Sequence, residues 1–406
     1  MRDKVLVFNK IRYELIRYHE IADADLFDFY FIGTKKYAEL VPNEWKQKCS
    51  VFVVADELTV ELCTTLINTI GGVDHLICFS EEDMHLAATL RMLHKIPGPK
   101  IADILRFRDK YTMKKELMNK GIKLPKYASL ADINIIEHLH FNNLSQKYGL
   151  PFVIKPRLGM ASMNVFIVES EQQFQEAIQD VYFNPEMYMI ESFIGGEMYH
   201  VDSFINHNKI ECSFAFKYTK PPVHLQTSEV GGIIQTRNDT LIQELHSINE
   251  LVINTLSPPN GCTHAEYFVT SDGEIYFCEI GARFGGTFLV TAIEAATGIN
   301  YAQKWFLQEL GIPYTQKIQR SLCAGWLDIP APEMAEILQV NTAESLSWVT
   351  AEEIKTKVGD RFYKRERIHN RMASYVIIGN DKQEVEQNMR VLSESHLIKW
   401  KKIPCL

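Results

Sequence analysis

Two segments more than a hundred residues apart constrain this chain most. The first is Pro151-Phe152-Val153-Ile154-Lys155-Pro156-Arg157-Leu158-Gly159-Met160-Ala161-Ser162, an apolar strand that delivers one lysine and then a small-residue loop. The second runs from His264-Ala265-Glu266 to Cys278-Glu279-Ile280-Gly281-Ala282-Arg283-Phe284-Gly285-Gly286, with two carboxylates on neighbouring strands and an arginine just beyond. A lysine beside a turn of backbone amides suits phosphate oxygens. Paired carboxylates suit a hard divalent cation, and the arginine suits a negatively charged reaction centre. Neither segment persuades alone; together they read as two halves of a nucleoside triphosphate site.

The rest of the composition agrees with a compact enzyme-sized chain. Its 406 residues allow two or three units of ordinary domain size, and 46% hydrophobic content supports packed cores rather than disorder. A net charge of -8 argues against a broad nucleic-acid footprint while leaving room for a local cationic pocket. The eight cysteines, Cys49, Cys63, Cys78, Cys212, Cys262, Cys278, Cys323 and Cys405, form no C-x-x-C pair and no short Cys/His spacing, so reduced thiols are expected. The apolar run after Met1-Arg2-Asp3-Lys4 is too short for a secretory core, and no stretch approaches the roughly 20 apolar residues of a membrane helix. A cytoplasmic protein without membrane attachment is expected.

Strand-like Lys4 to Phe8, Ser50 to Ala55 and Asp74 to Phe79, with amphipathic stretches between, predict a parallel α/β unit over residues 1–100. Acidic Ser80-Glu81-Glu82-Asp83 sits where a helix start favours it, ahead of Leu86, Ala87, Leu90 and Leu93 at helical spacing, and Pro97-Gly98-Pro99 marks a boundary. Asn9-Lys10-Ile11-Arg12-Tyr13 occupies the place of a dinucleotide loop, so this unit is not the expected nucleotide site. A helix is predicted from Arg108 to Gly121. Strands then dominate to about residue 300: Tyr188 to Glu191, Tyr199 to Ile205, Lys209 to Phe216, Ala265 to Val269 and Glu274 to Ile280. The tail from about Gln319, with Leu322 to Trp326, a polar middle, Met372 to Ile378 and a helix over Lys382 to Glu394, is expected to form a small α+β appendage returning onto the central part.

Two lysines on separate elements, Lys110 and Lys155, would spread positive charge along a triphosphate, although a strand-ending lysine is also what a snorkelling terminus looks like. Ser162 adds a hydroxyl to the phosphate loop, whose Met160 and Met163 also fit an ordinary turn. In Ile190-Glu191-Ser192-Phe193-Ile194-Gly195-Gly196-Glu197, the backbone of Ser192 to Ile194 can read an adenine edge, with Glu191 accepting from the exocyclic amine and Glu197 from ribose hydroxyls. A hairpin with two solvated glutamates is the competing reading. Glu266 and Glu279 lie on either side of the turn Ser271-Asp272-Gly273, so paired strands would bring both carboxylates to one face as magnesium ligands. Arg283, ahead of Gly285-Gly286 where a backbone can approach closely, can hold a carboxylate or acyl phosphate, or make a simple ion pair. His200, His224 and Glu229 are candidates for substrate contact or a general base.

In order and spacing these residues resemble the ATP-grasp superfamily across about Lys4 to Gly298. The marks are Arg108-Asp109-Lys110 with Gly121-Ile122 and Pro125, the Ile154-Lys155-Pro156 strand, the Glu191 to Glu197 hinge, and Glu279 to Gly286. Gly196-Glu197-Met198-Tyr199-His200-Val201-Asp202 and Glu279 to Arg283 look most like the carboxylate-amine ligases, including L-amino-acid ligases. The resemblance implies mixed α/β and α+β architecture: a Rossmann-like preATP-grasp unit (1–100), an ATP-grasp N-terminal region with a lid (101–194, lid about 125–190), a central region (195–318) and a C-terminal appendage (319–406). It implies ATP and Mg2+, with Mn2+ as an alternative. Lys110, Lys155 and Ser162 would serve the phosphates, Glu191, Phe193 and Ile194 the adenine, Glu197 the ribose and Glu266 with Glu279 the metal. Arg283 would face the activated acyl group, and His200, Glu229, Gly285 and Gly286 the substrates. It further implies small carboxylate and amine substrates, one of them free or carrier-bound, amide formation through an acyl phosphate with release of ADP and phosphate, and a homodimer. The rival readings are an ATP-grasp enzyme activating bicarbonate or formate, and a non-catalytic ATP-binding protein. Two departures stand out: Gly281 lies where many relatives have a third, asparagine metal ligand, and the phosphate loop has one glycine where several are usual.

Overall fold

The first strands of the chain run side by side because their apolar runs can be buried on both faces. In the computed structural model, which describes residues 2–133, 139–160, 162–226, 228–286, 288–318, 322–363 and 371–404, β1 (Asp3–Asn9), β2 (Phe27–Thr34), β3 (Val51–Ala55) and β4 (His75–Cys78) form a parallel sheet of order β3-β2-β1-β4. Val5, Leu6, Val7 and Phe8 are all fully buried, as expected of a strand covered on both faces. Strand β2, Phe-Asp-Phe-Tyr-Phe-Ile-Gly-Thr, was not among the expected strands; its aromatic run pairs in register with β1 from Asp3 opposite Phe27 to Asn9 opposite Gly33. The helix after β4 spans Met84–His94. Ala161, Gln319 and Cys405 lie outside the described residues; the seven described cysteines are free.

A second, antiparallel sheet of order β5-β8-β6-β7 comprises β5 (Tyr127–Ser129), β6 (Phe152–Pro156), β7 (Phe166–Val168) and β8 (Tyr188–Ser192). Helices Phe141–Tyr148 and Glu171–Val181 cover it, and Phe152, Phe174 and Ile190 are the centre of its core. The helix predicted over Arg108 to Gly121 is shorter, Lys110–Leu117. Asp109 caps it by accepting from the Tyr111 and Thr112 amides, and the same carboxylate binds Arg157 just past β6.

The third sheet carries the site. Its strands are β9 (Glu197–Asn206), β10 (Lys209–Tyr218), β11 (Val230–Ile234), β12 (Gly261–Val269), β13 (Ile275–Gly281) and β14 (Cys323–Pro330). The segment expected as a polar middle supplies β15 (Ala335–Val340), β16 (Val349–Ile354) and β17 (Arg361–Phe362), followed by β18 (Arg371–Gly379) and β19 (Ile398–Lys402). The order is β13-β12-β9-β10-β11-β14-β18-β16, with β17-β15-β19 as a separate small sheet. The tail therefore does more than pack on the central sheet: β14, β18 and β16 extend it, and helix Lys382–Glu394 packs on them. Helices Leu289–Thr297 and Tyr301–Glu309 tie this sheet to the first, where Asn300 and Gln303 donate to the Leu15 and Ile16 carbonyls at 3.0 and 2.9 Å. Among the described residues, no helix is long and apolar enough to cross a membrane.

Candidate functional site

A cavity of about 770 Å3, within the range of small-molecule sites, lies between the second and third sheets and is closed on one side by the β4 end of the first. Lys110, Lys155, Ser162, Glu191, Phe193, Ile194, His200, His224, Glu266, Glu279, Arg283, Gly285 and Gly286 all line it. The structure does not bring Glu197 and Glu229 to this cavity. Glu197 opens β9 with its side chain 56% exposed, bound to Lys217 and to the Tyr199 hydroxyl, and Glu229 accepts from the Ser393 hydroxyl; both face an adjoining cavity. His224 lines both cavities.

The acidic end follows from strand register. On β12 and β13, Glu266 stands directly opposite Glu279, and on the other side Glu266 faces His200 of β9. The register slips after Glu266, so that Tyr267 opposes Phe277 and Cys278 is the extra residue of a bulge. The bulge turns Cys278 toward the same point, and one ligand atom each from Glu266, Cys278 and Glu279 lie within 4.8 Å of one another. Two carboxylates fit a hard cation such as Mg2+, whereas the Cys278 thiol, which burial pushes up to about 12, is a soft donor poorly matched to such an ion. Tyr218 donates to Glu266 at 2.7 Å, and His264 Nε2 lies 3.5 Å from the same oxygen. Burial opposes ionisation of Glu266, but His264 and Tyr218 prevail and hold it at about 2, the charged state a cation requires.

The basic end is a chain of lysines around one buried carboxylate. Lys155 Nζ and Lys114 Nζ each lie 2.9 Å from a different oxygen of Glu191. Burial opposes the charge on Glu191, and the two ammoniums outweigh it and lower its pKa; Lys155 is raised in turn, while burial pulls the fully enclosed Lys114 down. Lys110 bridges to the acidic end, donating to the Gly159 carbonyl at 2.6 Å and lying 3.2 Å from Glu279. Lys114 was not among the sequence candidates. Its signal is its place four residues after Lys110, one turn along the same helix face.

Arg283 and Arg108 both bind Glu81, so the acidic run, which leads into helix Met84–His94 as expected, also sends one carboxylate across to these arginines. Burial alone would raise the Glu81 carboxyl; Arg283 and Arg108 hold it at about 2. Behind Glu266 lies a second polar chain. Asp202 accepts from His200 at 2.6 Å and His264 at 3.0 Å, and Gly285 packs so closely that a Cβ there would meet His264 Nδ1 at 3.0 Å and Asp202 Oδ1 at 3.1 Å. Burial keeps His200 below its ordinary value, whereas Asp202 overcomes burial and lifts His264 to about 9.

Residues 148–291 match the ATP-grasp domain family. The chain has the ATP-grasp fold. An L-amino acid ligase from Bacillus licheniformis superposes with a TM-score of 0.77 at 16% identity, covering 99% of both chains. A carboxyaminoimidazole ribonucleotide synthase complexed with ATP superposes at 0.72, with 16% identity, over 97% of this chain and 98% of its own. In sequence, an L-arginine-specific L-amino acid ligase of Bacillus subtilis is 25% identical over 62% of this ATP-grasp chain and 62% of its own length. A D-alanine–D-alanine ligase of Oceanobacillus iheyensis is 26% identical over 59% of this chain and 64% of its own. The match thus spans less than two thirds of these curated relatives.

Proposed function

We propose that this ATP-grasp chain is an ATP-dependent carboxylate-amine ligase that joins small molecules, amino acids foremost, and releases ADP and phosphate. The observation that carries the reading is the facing pair Glu266 and Glu279 in one cavity with Lys110, Lys155 and Arg283. The relatives named as amino-acid ligases supply the reaction class.

In this reading Lys110, Lys155 and the 159–163 loop hold the triphosphate, and the wall from Ser192 to Ile194 holds the adenine. Glu266 and Glu279 would hold Mg2+, which when bound offsets charge on the phosphates. A substrate carboxylate oxygen attacks the γ-phosphorus, the bond to the β-phosphate bridging oxygen breaks, and ADP leaves. Arg283, released from Glu81 or sharing it, stabilises the acyl phosphate. An amine then attacks the acyl carbon, loses a proton, and phosphate departs. Positioning and charge stabilisation carry the rate, with no covalent enzyme nucleophile.

Phosphate release from MgATP against free amino acids, singly and in pairs, with bicarbonate and formate alongside, tests the proposal. Stimulation by amino acids with formation of an amide product, both lost in Glu279→Ala, is expected. Turnover driven by bicarbonate or formate would replace the reading with the carboxylase or formyl-activating one. ATP binding with no stimulated release would make the chain a nucleotide-binding protein.

A further inference from the structure

Beyond the groups that face the phosphates, the cavity is walled by apolar side chains from separate elements. Tyr218 ends β10, Val223 and Leu225 lie on the short 3-10 helix Pro222–Gln226, Phe284 follows Arg283, Leu289 opens helix Leu289–Thr297, and Trp326 stands on β14; all six line the cavity. Val223 is half-buried, and the other five belong to one apolar core cluster. The 3-10 helix packs against β11 and β14, the strand that carries Trp326. Gly232 of β11 stands opposite Trp326, and a Cβ there would fall 2.7 Å from the indole Nε1, so the ring is seated by close approach to bare backbone.

Two contacts tie this wall to the reacting centre. Tyr218 donates its hydroxyl to Glu266 at 2.7 Å, and its ring meets Trp326 edge-on with centroids 6.0 Å apart. At the other end the Phe284 carbonyl accepts from the Arg283 guanidinium at 3.0 Å. A substrate held between Glu266 and Arg283 therefore has the wall beside it.

The charges bordering the wall are matched among the described residues. Arg371 and Asp328 bind each other at 2.7 Å, and behind them Arg12 and Lys355 meet Glu14 and Glu353, three cations against three carboxylates. On the side of the first unit, Lys10 lies 3.1 Å from Asp83 and 3.6 Å from Glu82, and Arg108 and Arg283 share Glu81, again three against three. Neither set calls for a charged ligand. A polar group pressed against the wall would give up water without gaining a partner, whereas an apolar group gains by leaving water.

We propose that this wall is a side-chain subsite, so that at least one substrate is an amino acid with a large aliphatic or aromatic side chain. The inference rests on the ligase reading. That side chain belongs either to the acid donor or to the amine donor.

One kinetic experiment separates these sources, with phosphate release and product mass measured together. Alanine, valine, leucine and phenylalanine are offered in all pairs, with glutamine, glutamate and arginine as polar and charged probes. The residue at the N-terminus of a dipeptide product is the acid donor, and the other is the amine donor. At one of the two positions kcat/KM should rise from alanine to leucine or phenylalanine by roughly tenfold or more, as burial of two or more methylene groups supplies, and that position names the source. Val223→Trp, which narrows the cavity from its half-buried rim, should cut the phenylalanine-to-alanine ratio at that position by about fivefold or more. Trp326→Leu, which widens it, should move the optimum to a larger side chain. Each ratio is taken within one variant, so loss of folded protein cancels. Equal use of alanine and the large apolar residues at both positions, a preference for glutamine, glutamate or arginine over them, or a ratio and optimum that neither variant alters would overturn the proposal and leave the ligase reading standing. Absence of any amino-acid-stimulated phosphate release overturns the ligase reading and this inference with it.

Discussion

Replacing Lys114 by methionine tests whether the basic end is held together as the geometry implies. Lys114 is fully buried, lies 2.9 Å from Glu191, donates to the Cys278 carbonyl and sits 5.5 Å from the Phe277 ring centre. Methionine preserves much of the stem's volume, so the loss is mainly electrostatic. Breaking a buried ion pair on one side costs about 3–5 kcal/mol, and Glu191 keeps Lys155 at 2.9 Å, which favours the lower end. The lost hydrogen bond to Cys278 is worth about 1 kcal/mol and is partly contained in that figure. A net loss of about 3 kcal/mol is expected, or a fall in Tm of roughly 6 °C at about 2 °C per kcal/mol. Scanning fluorimetry on Lys114→Met, Glu191→Gln and the double variant is the assay; comparing midpoints avoids a two-state extrapolation for a chain with several cores. Because Lys114 and Lys155 share Glu191, the penalties of Lys114→Met and Glu191→Gln should overlap, and the double variant should lose less than their sum. A Lys114→Met variant within about 1 kcal/mol of the wild type, or penalties that simply add in the double variant, would refute the reasoning.

Gly285→Ala should lower turnover at least about tenfold, because its Cβ would fall 2.1 Å from the Leu289 side chain and against the His264–Asp202 hydrogen bond that supports Glu266; undiminished phosphate release would show that this packing is not needed. The pH dependence of stability offers a second check. His264 has a folded-state pKa raised from 6.5 to about 9, so its contribution is fully present below about pH 6.5 and is lost as pH rises toward and through 9. The Tm difference between wild type and His264→Gln should accordingly shrink between those values, and a difference that grows with pH would contradict the assignment.

Glu266 and Glu279 show why part of this site is legible in one dimension. They flank a short turn, so their lying on paired strands of one hairpin can be read locally, but the register set by that turn would put Glu266 opposite Cys278, and only the bulge at Cys278 sets it opposite Glu279. Lys110 and Lys155 are similarly marked by a capped helix start and by the end of an apolar strand. The placement of Glu197 and Glu229 shows the limit of such reading. Their spacing is compatible with a ligand, but the partners that hold them, Lys217 and Ser393, come from other elements and turn them toward the adjoining cavity.

Length, hydrophobic runs and the two long-separated motifs by themselves determine a parallel first unit, a strand-rich centre and the ATP-grasp resemblance, because periodicity and turn chemistry are short-range properties. Tertiary structure alone decides that Glu81 meets Arg283, that Lys114 and Lys155 share Glu191, that three tail strands extend the central sheet, and that Asp328 and Arg371 close the far end of the cavity. Each of these joins elements distant in sequence. The energy that selects such a contact is the burial of charges that must find a partner, and where that partner stands is set by the packing of whole sheets.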